Sequence, residues 1–215
     1  MSLRVEPREI VGLIGPNGSG KSTMFNLIAG AYVPDAGRVL FQNHDVTGWR
    51  PYRIARLGLG RTFQIPALFL NMSVFDNLLT AAVEADWPAA PRRADEVLRF
   101  LRLEPVRDTP ADNLSGGQQK LLELGRVLMR DPSLILLDEV TAGVHPNLRV
   151  ALLEVIRELR ERGRTFIIIE HDMELVRGLC DRIVVMDFGE IVASGSFETI
   201  ARDPRVMEAY LGRRV

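Results

Sequence analysis

Residues 10–23 decide the fold, and they read Ile10-Val11-Gly12-Leu13-Ile14-Gly15-Pro16-Asn17-Gly18-Ser19-Gly20-Lys21-Ser22-Thr23. An apolar run typical of a buried strand breaks into a glycine-rich loop, after which the apolar spacing becomes helical. Residues 15–22 fit G-x-x-x-x-G-K-[ST], the pattern of a phosphate-binding loop. A plain turn between strand and helix is the alternative, but the flanking elements favour a nucleotide site.

The residue types in this loop suit phosphate chemistry. Glycines let backbone N–H groups turn inward around an anion, and the helix that follows adds its positive dipole end. Lys21 supplies a cation for the outer phosphates, and the Ser22 hydroxyl is a ligand for Mg²⁺. Nucleotide binding is therefore assigned to the whole run Gly15, Pro16, Asn17, Gly18, Ser19, Gly20, Lys21, Ser22 and Thr23.

Composition describes an ordinary globular protein of one or two compact units. The chain has 215 residues, is 47% hydrophobic and carries a net charge of −1, so nothing indicates nonspecific nucleic-acid binding. Its single cysteine, Cys180, excludes an internal disulfide and a cysteine-based metal cluster, and fits a reducing compartment. No apolar run approaches the ~18 residues of a membrane span, and the first residues lack the apolar core of a signal peptide. We expect any membrane role to come through a partner.

The predicted elements divide the chain into an α/β core and a helical insert. The core is expected over residues 1–65 and 131–215, and the mostly helical subdomain over residues 66–130, within a single domain. Residues 134–137 and 165–169 are apolar on both faces, which indicates a parallel sheet covered by helices. Two strand pieces are expected in residues 2–14 and a loop over residues 86–93, and Val83 is expected on a buried helix face.

Polar side chains follow the predicted strands at one sheet edge. Asp138 and Glu139 end a buried strand, where α/β sheets bind ligands, so Asp138 is placed to hold Mg²⁺. Glu139 can polarise a water for attack on the γ-phosphate, and His171 can orient that water. An acidic first turn of the next helix and a structural histidine are the bland alternatives. Gln64 can reach Mg²⁺ or the water, although this signal is weak alone.

A second anion site is predicted at the start of another helix. The run Leu114-Ser115-Gly116-Gly117-Gln118 opens a helix with small residues, so its N-terminus is suited to phosphate. Ser115, Gly116, Gly117 and Gln118 are therefore added to the nucleotide-binding residues. Either the chain binds two anions, or each nucleotide is clamped between two chains.

The complete set of motifs resembles an ABC-type ATPase subunit. Residues 15–22, Gln64, 114–118, 134–139 and His171 look like its Walker A, Q-loop, signature, Walker B with catalytic glutamate, and switch histidine. The resemblance covers essentially the whole chain. It implies a P-loop NTPase core with a parallel sheet, a small antiparallel β part and a helical subdomain. It also implies hydrolysis of ATP with Mg²⁺, and a head-to-tail dimer in which each ATP lies between the phosphate loop of one protomer and the Ser115 loop of the other.

Finer features resemble the ATP-binding subunits of branched-chain amino acid importers. These segments are Arg61–Gln64, Ser73–Leu78, Glu170–Met173, Gly178–Met186 and Pro204–Gly212. The implied partners are a second ATPase subunit, identical or not, membrane permease subunits and, indirectly, a solute-binding protein. The implied location is cytoplasmic, at the inner face of the cell membrane. Alternatives are amide, urea or lipid transport, including lipopolysaccharide export, and a non-transport ABC ATPase.

Three features depart from the family pattern. Val140 stands where proline is usual after the catalytic glutamate, and His145 stands where aspartate or asparagine is usual in the D-loop. The third is the chain start: the family has about two further strands before Met1, with an aromatic that stacks on adenine. The antiparallel part is therefore expected to be incomplete at its N-terminal side.

Overall fold

The computed structural model describes residues 1–82 and 84–211. Its strands are β1 (Ile10–Ile14), β2 (Leu40–Phe41), β3 (His44–Asp45), β4 (Leu59–Arg61), β5 (Leu134–Asp138), β6 (Thr165–Ile169), β7 (Arg182–Asp187) and β8 (Glu190–Gly195). Its α-helices are α1 (Lys21–Ile28), α2 (Pro51–Arg56), α3 (Val74–Leu79), α4 (Ala90–Leu101), α5 (Gly116–Leu128), α6 (Pro146–Glu161), α7 (Met173–Leu179), α8 (Phe197–Ile200) and α9 (Pro204–Leu211). Short 3₁₀ turns cover Glu84–Ala89, Glu104–Val106 and Ala111–Asn113.

The main sheet is parallel except at one edge. Its strand order is β4-β5-β6-β1-β7-β8, and only the β7–β8 hairpin is antiparallel. Strands β2 and β3 form a separate two-stranded antiparallel sheet. The predicted α/β class, with a mainly parallel sheet and a small antiparallel part, is confirmed.

The core explains why β1 is apolar throughout. All five of its residues are buried, because helices cover both sheet faces. Ile10 belongs to the core cluster on one face, while Val11 and Leu13 belong to the cluster on the other. The carboxyl ends of β1, β5 and β6 meet at one edge, since these strands are parallel neighbours. That edge carries Gly15, Glu139 and Glu170, the residues that follow the strands.

Helices α3, α4 and α5 pack on one another through Leu78, Val97 and Leu122. Their core continues onto the sheet, because the same cluster includes Ile135 and Phe166. The helical content of residues 66–130 matches the expectation, while the exact division of the chain at residues 65 and 131 stays a prediction.

Two predicted elements are wrong. Residues 2–5 form no strand, although Leu3 and Val5 pack against a core cluster. Residues 86–93 are not a loop, because α4 begins at Ala90 and holds Pro91 in its first turn, where proline leaves no extra N–H unpaired. Val83 lies outside the described residues.

Candidate nucleotide-binding site

The phosphate loop joins β1 to α1 and packs closely against β7. Gly15 can carry no side chain, because a Cβ there would lie 2.1 Å from the Met186 carbonyl oxygen. Gly20 precedes α1 with φ 102°, a left-handed conformation that favours glycine. The turn between β7 and β8 supports the loop as well, since the Gly189 N–H donates to the Ser19 carbonyl at 2.9 Å.

Lys21 is buried and bound to its own loop. Its Nζ donates to the carbonyls of Gly15 at 2.8 Å and Pro16 at 2.9 Å, and lies 3.5 Å from the Ser19 hydroxyl. Burial lowers the pKa of Lys21, whereas the carboxylates of Glu139 and Asp138 raise it. The ammonium is thus held at the loop by weak neutral acceptors that a phosphate can replace.

Glu139 lies between the two other predicted catalytic side chains. The Gln64 amide donates to Glu139 Oε2 at 2.8 Å, and His171 Nε2 lies 3.0 Å from Glu139 Oε1. The Glu139 N–H donates to the Ile169 carbonyl at 2.9 Å. Residues from three separate stretches of sequence therefore meet at one carboxylate.

Asp138 is one residue away and differs in environment. It is buried, its N–H donates to the Thr62 hydroxyl at 3.3 Å, and its Oδ2 lies 3.8 Å from Arg61 Nη2. Burial raises the pKa of Asp138, and the Arg61 guanidinium opposes that shift. Arg61 is in turn held by Asn26 of α1 at 2.6 Å.

A cavity of about 310 Å³ lies at this sheet edge, and the predicted site residues Gly15, Pro16, Ser19 and Asp138 are not among those that line it. Its lining consists of Asn17, Gly18, Gly20, Lys21, Ser22, Thr23, Gln64, Glu139, Ile169 and His171. The structure thus brings together most of the phosphate-loop residues with Gln64, Glu139 and His171. Ser115, Gly116, Gly117 and Gln118 are not part of this lining.

A phosphate loop, an acid pair at the end of β5 and a histidine after β6 share one edge of a parallel sheet. Two family profiles match the sequence of this chain. The profile of the ABC transporter family matches residues 1–142, and that of the branched-chain amino acid ATP-binding cassette transporter matches residues 190–215. The chain belongs to the ABC transporter family of ATP-binding cassettes.

Similar proteins agree with this assignment. The probable branched-chain amino acid transport ATP-binding protein LivG of Archaeoglobus fulgidus is 41% identical over 99% of this chain and 88% of its own length. LivG of Escherichia coli K12 is 39% identical, over 99% and 90%. The lipopolysaccharide export ATP-binding protein LptB of Acidithiobacillus ferridurans is 38% identical, over 99% and 89%.

Solved cassettes share the fold. The ADP conformation of MJ1267, an ATP-binding cassette of an ABC transporter, matches with a TM-score of 0.89 and 37% identity over 99% of this chain and 91% of that one. A dimeric post-hydrolysis state of the cassette MJ0796, bound to ADP and Pi, matches with a TM-score of 0.79 and 26% identity, over 91% and 88%. The expected P-loop cassette fold is therefore confirmed.

The signature segment of the cassette begins α5. Ser115 is its N-cap: the hydroxyl accepts from the Gln118 N–H, and the Gln118 side chain accepts from the Ser115 N–H at 2.9 Å. Ser115 and Gly116 are exposed, whereas Gly117 is buried against Leu148 of α6. The N-terminus of α5 is exposed at Ser115 and Gly116, and none of residues 115–118 lines the cavity beside the phosphate loop.

The donor set of the cassette fits Mg²⁺. Asp138 offers one carboxylate, Ser22 a hydroxyl and Gln64 an amide oxygen, and Mg²⁺ in phosphate sites typically takes few protein ligands beside phosphate and water. Among residues 1–82 and 84–211 no cluster of three or more His, Cys, Asp or Glu side chains could hold a metal alone. These three residues would therefore hold the ion together with nucleotide oxygens.

Sequence reasoning missed three residues of the cassette that touch this site. Arg61 and Thr62 contact Asp138, and Lys120 of α5 donates to the Gln64 carbonyl at 2.6 Å. Lys120 did carry one signal, since Lys21 and Lys120 are the only lysines among 27 basic residues. The rarity of lysine alone does not indicate which backbone groups Lys120 contacts.

Proposed function

We propose that this cassette binds ATP with Mg²⁺ and hydrolyses it, and that hydrolysis drives the import of branched-chain or related amino acids through a membrane permease. The observation that carries the proposal is the Glu139 carboxylate, which lies at the mouth of the phosphate loop between Gln64 and His171. A carboxylate so oriented is suited to position and polarise an attacking water.

The roles of the side chains follow from their contacts. Lys21 exchanges its loop carbonyls for β- and γ-phosphate oxygens, and the backbone of residues 15–20 surrounds the β-phosphate. Glu139 accepts a hydrogen bond from the attacking water. Gln64 and His171 contact the two carboxylate oxygens of Glu139 and thereby fix the orientation of this carboxylate. Mg²⁺, when held by Ser22, Gln64 and Asp138, neutralises charge on the β- and γ-oxygens.

A second chain completes the nucleotide-binding site. Ser115, Gly116, Gly117 and Gln118 lie outside the cavity lined by Lys21, and they form the N-terminus of α5, which is exposed at Ser115 and Gly116. A head-to-tail dimer gives each of two ATP molecules one phosphate loop and one Ser115 loop. The solved dimeric cassette MJ0796, bound to ADP and Pi, supports assembly of two chains.

The solute and the location rest on the relatives. LivG proteins are named for branched-chain amino acid transport, and the C-terminal profile is of the same kind. Lipopolysaccharide export is the second candidate, because LptB is 38% identical. No helix within residues 1–82 and 84–211 is long and apolar enough to cross a bilayer. The cassette would thus act at the inner membrane face by contact with permease subunits.

The Glu139→Gln variant tests the hydrolysis step. An amide cannot take up a proton from water, so turnover should fall by about 10²- to 10⁴-fold while ATP still binds. Because product no longer forms, ATP and Mg²⁺ should shift this variant from monomer to dimer in light scattering. Phosphate release by the parent chain gives the reference rate.

Glu198→Gln is the matched control, since Glu198 is exposed on α8 and its nearest cation, Arg177, is 3.9 Å away. It should hydrolyse ATP at the parental rate and remain monomeric at the same nucleotide concentration. Parental turnover in Glu139→Gln would contradict the role of Glu139. A parent chain that binds ATP but never releases phosphate would contradict the proposed hydrolysis itself.

A further inference from the structure

Helix α5 holds the segment after β4 by three side chains spaced three residues apart. Lys120 Nζ donates to the Gln64 carbonyl at 2.6 Å, and the Phe63 N–H donates to Glu123 Oε1 at 3.0 Å. Arg126 donates to the Ala67 carbonyl. In a helix this spacing places all three side chains on one face. That face of α5 therefore contacts the backbone of the segment at Phe63, Gln64 and Ala67.

Lys120 reaches a second backbone group in the site. Its Nζ also lies 3.4 Å from the Glu139 carbonyl, and Lys120 is only 8% exposed. Gln64 and Glu139 are the two residues whose side chains hydrogen-bond to each other at 2.8 Å. One buried ammonium thus fixes the backbone of both partners of that contact.

Glu123 shows that this arrangement is not optimised for stability. It is 4% exposed, and its Oε2 has no hydrogen-bond partner among the described residues. Burial raises its pKa, although the Phe63 N–H and Lys120 act against that rise. Replacing such buried ionic groups by apolar residues is often neutral or stabilising, so their presence calls for another reason.

The position of Lys120 on α5 supplies that reason. Ser115, the N-cap of α5, lies five residues before Lys120, about one and a half turns along the same helix. In the proposed dimer, the N-terminus of α5 contacts the γ-phosphate of the nucleotide bound to the partner. A shift of this helix on binding would be passed directly to the backbone of Gln64, because helices move as rigid elements.

We propose that Lys120, Glu123 and Arg126 form a backbone clamp by which α5 sets the position of residues 63–67, with Lys120 as a positioning residue for Gln64 and Glu139. This proposal rests on the proposed hydrolysis. The clamp makes the geometry of the chain's own nucleotide site depend on α5, whose N-terminus contacts the nucleotide bound to the partner. Lys120 acts through backbone carbonyls and touches no reacting atom.

The first test compares Lys120→Met, which keeps length and loses the donor, with the conservative Lys120→Arg. Lys120→Met should lower kcat by about tenfold or more while KM and the Kd for a fluorescent ATP analogue stay within about twofold. Lys120→Arg should restore kcat to within about threefold of the parent, since a guanidinium also donates to two carbonyls. The matched control is Gln119→Met, which removes one bond from the same helix, to the Ala111 carbonyl at 2.9 Å, away from the site.

A double-mutant cycle separates positioning from general destabilisation. If Lys120 acts through Gln64, then Gln64→Ala and Lys120→Met together should lower kcat hardly further than Gln64→Ala alone. If Lys120→Met and Gln119→Met lower kcat equally, the loss is a stability effect and the clamp is overturned. The clamp is also overturned if the kcat losses of Gln64→Ala and Lys120→Met multiply independently in the double variant.

Hydrogen exchange tests the clamp without hydrolysis. The amides of Phe63, Gln64, Ile65 and Ala67 should exchange at least about fivefold faster in Lys120→Met than in Gln119→Met, because local opening is no longer opposed. Unchanged exchange there would overturn the clamp even in an active cassette. A parent chain without ATPase activity would instead overturn the proposed function, and the exchange data would still decide on the clamp.

Discussion

At the scale of single residues, Glu139 combines strain with function. Its φ of 48° lies in the left-handed region, which costs a non-glycine residue about 1–3 kcal/mol. The contacts with Ile169, Gln64 and His171 hold it there. A strained residue fixed by its surroundings keeps one direction for its carboxylate, which suits a group that must aim a water molecule.

Cys180 is partly buried, and we expect its thiol to be unreactive. Burial raises the pKa of its thiol from the usual 9.0 to about 12, so at pH 8 the folded chain holds about a thousandfold less thiolate than the unfolded chain. We expect iodoacetamide at pH 8 to label Cys180 slowly in the folded protein and about 10³-fold faster in guanidinium. Mass spectrometry of the quenched reaction measures both rates.

An exposed cysteine introduced by Asn71→Cys is the control for this experiment, because position 71 lies on the surface. It should react rapidly in the folded protein under the same conditions. Equal labelling of Cys180 before and after unfolding would contradict the raised pKa.

Single residues also show where sequence reasoning ends. Roles for Lys21 and Asp138 could be proposed from the sequence, because each residue lies in a local pattern beside an apolar strand. Lys120 lies 56 residues from Gln64 in the chain, and it binds a backbone carbonyl. Every residue type has that carbonyl, so no pattern of side chains in one sequence marks the contact.

At the scale of elements, the C-terminal part of the chain supports the phosphate loop. Val206 of α9 packs in the same cluster as Ile14, the last residue of β1. Tyr210 lies one turn further along α9 and is 45% exposed. Partial burial raises the pKa of Tyr210, and the nearby Gly15 N–H acts against that rise. Helix α9 therefore touches the first residue of the loop that begins the nucleotide site.

Tyr210→Phe should weaken ATP binding without removing it. One neutral hydrogen bond contributes about 0.5–1.5 kcal/mol, which corresponds to a rise in Kd of about 2- to 12-fold when the bond orders the loop. Fluorescence titration of an ATP analogue measures the change.

Tyr52→Phe is the matched control, since Tyr52 lies on α2 and is about as exposed as Tyr210, 48% against 45%. It should keep the parental Kd. If Tyr210→Phe binds as tightly as Tyr52→Phe, then α9 does not order the loop for nucleotide.

Elements were predictable where local pattern and packing agree. Strand β1 and helix α1 follow from an apolar run and a glycine loop that need no distant partner. Residues 2–5 alternate polar and apolar side chains as a strand does, yet no neighbouring strand pairs with them. The loop predicted over residues 86–93 is wrong because Pro91 lies in the first turn of α4, where a helix tolerates proline.

At the scale of the whole molecule, the sheet separates two surfaces. Segment 63–71 follows β4, at one edge of the sheet, while α9 packs on β8 at the other. The segment exposes Phe63, Ile65, Phe69 and Leu70, although Leu68 packs against the core. An exposed apolar surface of this kind marks an interaction site, here the proposed contact with a cytoplasmic permease helix.

Cysteines placed at this surface test the contact and the solute together. Ala67→Cys and Asn71→Cys should crosslink to the permease of a branched-chain amino acid importer in membranes, because both positions are exposed. Met207→Cys, exposed on α9 at the far edge, should not. Gel mobility after a bifunctional maleimide reports the adducts.

Crosslinks to a lipopolysaccharide-export permease but not to the importer would favour the second candidate function. Absence of crosslinks with both, under every nucleotide condition, would contradict docking through segment 63–71.

The backbone clamp has a consequence for how such cassettes can diversify. Lys120, Glu123 and Arg126 bind amide and carbonyl groups of residues 63–67, which are the same whatever the side chains are. Mutations at Ile65 or Ala67 can therefore alter the surface offered to a permease while the hydrogen bond to the Gln64 carbonyl is kept. In this segment the side chains determine the permease contact and the backbone atoms determine the catalytic geometry. Descendants of one cassette can therefore acquire new permeases while the geometry of the ATPase site is kept.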